Sequence, residues 1–157
     1  MDSNLKAYLE RYNIKYQIYA HPAVFTVEQS KSIKEKIPGK STKCLFLKDE
    51  NSNYYLIALP AFKRLDTKQL KKRLNVKDMR FASPEELKQQ LNLTPGSVSI
   101  FGMIYAENIF LIVDKELWDA EIVGFHPNIN TFTIFLNHAN LEKFYNSLKA
   151  KKEVIKL

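Results

Sequence analysis

Four glycines and one cysteine in 157 residues set the first limits on this chain. Two of the glycines, Gly96 and Gly102, fall in one stretch, so little is left for a glycine-rich phosphate cradle. Neither a Walker nor a dinucleotide fingerprint is present. One cysteine excludes an internal disulfide framework and fits a reducing cytosol, the expected location. The three histidines, His21, His126 and His138, are widely separated. No Cys, His and carboxylate grouping has metal-ligand spacing, so neither a metal nor another cofactor is expected. No apolar run is long enough to span a membrane. The opening Met1-Asp2-Ser3-Asn4 starts a helical pattern rather than a signal peptide. There is no Ser nucleophile elbow, and no carboxylate pair is set apart by its surroundings.

What is present is apolar and basic. A hydrophobic share of 45% over 157 residues fits one domain, 1–157, with a sizeable core. The net charge of +7 suggests a polyanionic partner, most economically a nucleic acid. Many lysine-rich proteins bind nothing anionic, so charge alone decides little.

The pattern along the chain alternates between helix and strand. Leu5, Tyr8, Leu9 and Tyr12 recur at helical spacing, which predicts a helix from Ser3 to about Tyr12. Lys15 to Ala20 reads as a strand. Thr26-Val27-Glu28-Gln29 is a capping box opening a helix to about Lys36. A strand from Lys43, a polar turn at Glu50 to Asn53 and a strand from Tyr54 to Leu59 form a hairpin. A helix from Asp66 to Leu74, a short strand at Met79 to Ala82 and a helix capped by Ser83 follow. After a loop over Leu93 to Gly102 come strands at Ile109 to Val113, Glu121 to Phe125 and Thr131 to Leu136. A helix through Leu141, Phe144, Tyr145 and Leu148 and an edge strand from Val154 to Leu157 close the series. The interspersed elements lack strict βαβ repetition. They fit a mixed α+β fold, a single mixed β-sheet or partly closed barrel flanked by helices.

The Lys43 strand is apolar on both faces, with Leu45 and Leu47 on one and Cys44 and Phe46 on the other. Lys43 shares the face of Leu45 and Leu47. Its ammonium either snorkels to water or marks the mouth of a pocket, and the strand alone does not decide. Three irregular stretches, His21 to Thr26, Gly96 to Gly102 and His126 to Thr131, adjoin strands, where binding groups collect; each also reads as an ordinary turn. A Cys44–His126 nucleophile pair is the other chemistry on offer, set against a cysteine that is simply a small buried hydrophobe.

Together the stretches resemble the YbaK/prolyl-tRNA-synthetase-associated domain family, and within it the free-standing prolyl-tRNA editing proteins. The likeness rests on His21-Pro22-Ala23-Val24-Phe25-Thr26, Thr42-Lys43 before Leu45-Phe46-Leu47-Lys48-Asp49, and Phe81-Ala82-Ser83-Pro84-Glu85. It continues through Thr94-Pro95-Gly96-Ser97-Val98 and ends on Phe125-His126-Pro127-Asn128, Asn130 and Thr131. The resemblance implies a helix-flanked mixed barrel that hydrolyses mischarged tRNA in trans, alanyl-tRNA(Pro) first, with prolyl-tRNA synthetase as a further partner. It implies that Lys43 holds the ester or terminal phosphate and that His126 lines the aminoacyl pocket. It makes Gly96 to Gly102, with Ser97 and Val98, the cradle for the terminal adenosine, and Thr26, Cys44 and Asn130 walls or rim. Lys63, Arg64 and the Lys68, Lys71, Lys72 helix face, with Arg73, would meet acceptor-stem phosphates; a solvated helix face is the plain alternative.

The chain departs from the family pattern at three places. Cys44 stands where the family usually has Asn, Ile100 where Pro or a small residue is common, and Tyr105-Ala106 where an Asn-Asp pair follows. These departures bear on which amino acid is cleared. They also open a second reading, a catalytically weak tRNA-binding module or synthetase partner.

Overall fold

The computed structural model describes residues 2–21, 39–129 and 131–157. The proposed helix from Thr26 and the sites at Thr26 and Asn130 lie outside them. The elements in order are α1 (Ser3–Arg11), β1 (Gln17–Ala20), β2 (Lys40–Asp49), β3 (Tyr54–Pro60), α2 (Thr67–Leu74), β4 (Met79–Phe81) and α3 (Pro84–Leu91). A 3-10 helix (Ile100–Tyr105), β5 (Ile109–Asp114), α4 (Lys115–Trp118), β6 (Ile122–Phe125), β7 (Phe132–Asn137), α5 (His138–Ser147) and β8 (Lys152–Ile155) complete the described chain. The eight strands form one mixed sheet in the order β1-β7-β6-β2-β3-β5-β8, with β4 set against β2 off that path. The sheet is open, not a closed barrel, and helices cover both faces.

Alternation along the central strands divides the core in two. Leu56 and Ala58 of β3 and Leu111 and Val113 of β5 point to one face, Tyr55, Ile57, Leu59 and Ile112 to the other. The first face carries α1, α3, α5 and the 3-10 helix through Leu5, Leu9, Leu87, Leu91, Phe101 and Phe144. The second carries α2 through Leu70, packed with Leu47, Ile57 and Leu59. Burial on both faces is why these strands read as continuous apolar runs.

Three differences from the sequence pattern have local causes. The 3-10 helix falls where a loop is expected, because Ile100-Phe101-Gly102-Met103 is buried throughout and offers no polar face to mark a period. α4 is one turn long, too short for periodicity, and is set by the Asp114 side chain capping the Glu116 amide. β8 begins two residues early, at Lys152, in parallel register with β5.

Two polar anchors fix the frame around β2. Ser83 and Glu86 form a reciprocal capping box on α3. Glu86 also accepts from the Tyr54 hydroxyl (2.5 Å) and pairs with Lys48 at 3.0 Å, which ties α3 to the hairpin. The Tyr54 bond, then the Ser83 amide and Lys48, pull the Glu86 carboxyl down to about 2. At the hairpin turn the buried Asp49 carboxylate accepts from the amides of Asn51 (2.9 Å) and Asn53 (3.0 Å) and from the Tyr55 hydroxyl (2.7 Å). Burial alone raises its pKa, but these donors outweigh it and the net shift is downward.

A carboxyl with a lowered folded pKa stabilises the fold above its unfolded value of about 3.9, and that contribution is lost as pH falls through the folded value. Asp49→Asn should therefore cost about 1–3 kcal/mol at pH 7 in urea denaturation, since an amide turns N–H groups toward the same donors. The gap between variant and wild type should narrow at acid pH. A gap unchanged between pH 7 and the acid range would mean that the turn does not depend on the ionised group.

Candidate active site

Among the described residues β2 alone pairs with three strands. β3 runs along one edge from Thr42 to Lys48. On the other edge β6 pairs in parallel at Lys40 and Ser41, and β4 pairs antiparallel from Leu47 to Asp49. Between them, Thr42 to Leu45 have no strand beside them on that edge among the described residues. Thr42 marks the point where β6 leaves, its hydroxyl donating to the Gly124 carbonyl at 2.6 Å. Divergence of two strands from a third leaves a crevice, the usual place for a ligand in open sheets.

The loop after α3 closes that crevice. The Ser97 amide donates to the Thr94 carbonyl, and Gly96 takes φ +87°, with Pro95 before it. Pro followed by a residue at positive φ is the requirement of a type II turn. Ser99 then donates its hydroxyl to the His126 carbonyl and accepts the Phe101 amide at 3.2 Å, pinning the loop to the end of β6. The result is a cleft of about 190 Å³ lined by Thr42, Lys43, Cys44, Gly96, Val98, Ser99, Phe125 and His126.

Most of the residues expected at the site therefore meet. Lys43 and His126, far apart in sequence, share one cleft with Cys44, Gly96 and Val98. The Lys43 ammonium has no hydrogen-bond or ion-pair partner among the described residues, unlike Lys40, Lys48 and Lys63. His126 Nδ1 donates to the Phe132 carbonyl at 3.2 Å, which fixes the ring and, in its neutral form, leaves Nε2 as the acceptor nitrogen. His21 stands beside it, ring centroids 6.1 Å apart, with Nε2 2.9 Å from the Thr133 hydroxyl.

Two expected residues have other places. Ser97 is buried in the loop and is not part of the cleft wall. Gly102 is also away from the wall; a Cβ there would sit 2.7 Å from Leu93 Cδ1, so its smallness serves the packing of the 3-10 helix on the loop. Thr42, Ser99 and Phe125 line the cleft without having been singled out as site residues. Thr42 and Phe125 stand beside Lys43 and His126 in sequence; nothing in the sequence distinguishes Ser99.

The basic residues divide as well. Lys63 donates to the buried Asp114 carboxylate at 2.9 Å, and Arg73 pairs with Glu153 at 3.1 Å. Arg64, Lys68 and Lys72 are exposed and Lys71 half-buried. By alternation Lys43 lies on the sheet face that α2, the helix of Lys68, Lys71 and Lys72, covers.

Cys44 is not a nucleophile poised for attack. Burial pushes its thiol up to about 12, and an Ile100 backbone hydrogen bond offsets this only in part. A thiol–imidazole hydrolase needs a thiolate, and this site withholds it.

The sequence and the fold have counterparts among known proteins. Residues 21–144 match the aminoacyl-tRNA editing domain model. The chain belongs to that family. It is 32% identical over 140 residues to the prolyl-tRNA editing protein ProX of Acetoanaerobium sticklandii, covering 87% of this chain and 85% of that one. It is 28% identical to prolyl-tRNA synthetase associated domain-containing protein 1 of Danio rerio, over 89% of this chain and 78% of the other. The fold superposes on a crystal structure described as a candidate trans-editing enzyme for prolyl tRNA synthetase, with TM-score 0.76, 16% identity, and 100% and 98% of the two chains covered.

The thiol's raised pKa gives a direct test. At pH 8, alkylation of Cys44 by iodoacetamide should be on the order of a hundredfold slower in the folded protein than in urea. Equal rates would mean that the thiol's pKa is not raised.

Proposed function

We propose that the protein is a trans-acting deacylase that hydrolyses the ester of mischarged tRNA in the cytosol, alanyl-tRNA(Pro) first among its substrates. Prolyl-tRNA synthetase is the natural companion of such an activity. The observation that carries the reading is the Lys43 ammonium, without a partner among the described residues, in a cleft with His126 and the Gly96 turn. A cation with no counter-charge among the described residues suits an anionic or carbonyl group of a ligand. The sequence relation to the ProX editing protein supports the same substrate class.

An aminoacyl ester is already labile, so no protein nucleophile is required. In this reading Lys43 holds the ester carbonyl or the terminal phosphate, and the adenosine lies against the Gly96 turn. Water, assisted by the neighbouring ribose hydroxyl, attacks the carbonyl carbon. The bond from that carbon to the ribose oxygen breaks, and the ribose oxygen takes the proton. The amino acid leaves as the free acid. Positioning and stabilisation of the developing oxyanion supply the rate, and neither needs a thiolate. Selectivity is by size: Val98, Phe125 and Cys44 form the apolar part of a small cleft that admits alanine and crowds out proline. A second, size-based site suits small side chains because one methylene gives only about 1–3 kcal/mol of discrimination.

The test is a panel of tRNA(Pro) charged with Ala, Ser, Thr, Cys or Pro. Wild type should release alanine and spare proline, and Lys43→Ala should lose about a hundredfold to a thousandfold in rate, the usual cost of one preorganised charge. Salt-dependent tRNA binding with no ester cleaved would overturn the deacylase reading in favour of a binding module.

A further inference from the structure

We propose that Phe62 is a stacking platform for a base of the tRNA's unpaired 3′ strand, just outside the catalytic cleft. The proposal rests on the editing reading for its ligand but on separate observations for its place. Phe62 is 66% exposed, an unusual position for a phenylalanine. It lines a second cleft, of about 440 Å³, with Lys40, Ser41, Pro60, Ala61, Lys63 and Glu116.

That cleft is lined in part by the residues of β2 that precede those of the first. Lys40 and Ser41 immediately precede Thr42, Lys43 and Cys44 on β2, and the Ala61 amide donates to the Ser41 carbonyl at 3.0 Å. From Lys40 to Lys43 the strand advances roughly 10 Å, three residues at about 3.3 Å each. A stacked strand spans that with a few nucleotides at about 3.4 Å each. A 3′ end whose terminal adenosine sits against the Gly96 turn therefore brings its preceding nucleotides over Phe62.

The surrounding charge suits a phosphodiester chain. Lys40 and Glu116 approach to 3.5 Å with side chains 41% and 48% exposed, a loose pair that a phosphate can replace at the ammonium. Arg64 is exposed, with no ion-pair partner among the described residues. An aromatic face beside exchangeable cations is the arrangement by which single strands are held without reading their sequence. Phe81, equally exposed at 68%, pairs with Leu47 toward the other end of β2 and serves as the control.

The experiment compares wild type, Phe62→Ala, Phe62→Leu and Phe81→Ala on alanyl-tRNA(Pro) and on the minimal ester alanyl-adenosine. Loss of one stacked base corresponds to between about fivefold and about a hundredfold in affinity. Both Phe62 variants should raise KM for the charged tRNA by that range, with kcat, melting temperature and alanyl-adenosine hydrolysis unchanged, and Phe81→Ala should match wild type. A second readout needs no catalysis: in Phe62→Trp, uncharged tRNA(Pro) should quench the added fluorescence, and tRNA trimmed of its last three nucleotides should not. An unchanged KM in Phe62→Ala, or equal quenching by trimmed tRNA, overturns the platform. If wild type cleaves no ester but quenching still requires the intact 3′ end, the deacylase reading fails and the platform stands.

Discussion

The site depends on one feature of the sheet: a central strand whose outer edge is shared by two partners that do not meet. β6 accompanies β2 only through Ser41, and β4 joins it only at Leu47. A ladder continuous along that edge would occupy the space beside Lys43 and Cys44. The break is specified by side chains. Thr42 bonds the Gly124 carbonyl as β6 turns away, and the Glu86 anchor holds α3 so that the following loop falls into the gap. Ser99 then ties that loop to His126. The same residues that end the strand pairing build the walls of the cleft.

This arrangement explains why Lys43 and Cys44, adjacent in sequence, have opposite characters. Alternation sends Lys43 toward the face covered by α2 and Cys44 toward the larger core. The ammonium has no partner among the described residues, while burial of the thiol raises its pKa. A site that offers, among the described residues, a lysine cation and no ionised nucleophile is suited to holding a reactive ligand for water. Lys63 shows the contrast: its charge is committed to buried Asp114, where removing either partner would strand the other.

Much of the fold was legible in the chain because its strands obey a simple period. The hairpin, the Asp66 and Ser83 caps and the apolar β5 run each carry a local signal that packing reinforces. The meeting of Lys43 with His126 was not written in any local pattern. Only the resemblance to a known family joined them, because their sharing of one cleft depends on where β6 parts from β2. Ser99 was hidden for a related reason: its hydrogen bond to a distant carbonyl leaves no trace in spacing. Gly102 shows the reverse error, since two glycines in one loop suggest a single purpose. Gly96 has the positive φ of the turn, whereas Gly102 makes room for Leu93.

The most direct measurement is NMR mapping of the protein titrated with a non-hydrolysable amide analogue of alanyl-adenosine. If the gap beside β2 is the ligand site, resonances of Thr42 to Cys44, Gly96 to Ser99 and His126 should shift together and saturate at one affinity. Lys43→Ala should weaken that binding. Shifts confined to the separate cleft between Lys15, Tyr16 and Phe135, with Lys43 and His126 unmoved, would contradict the account.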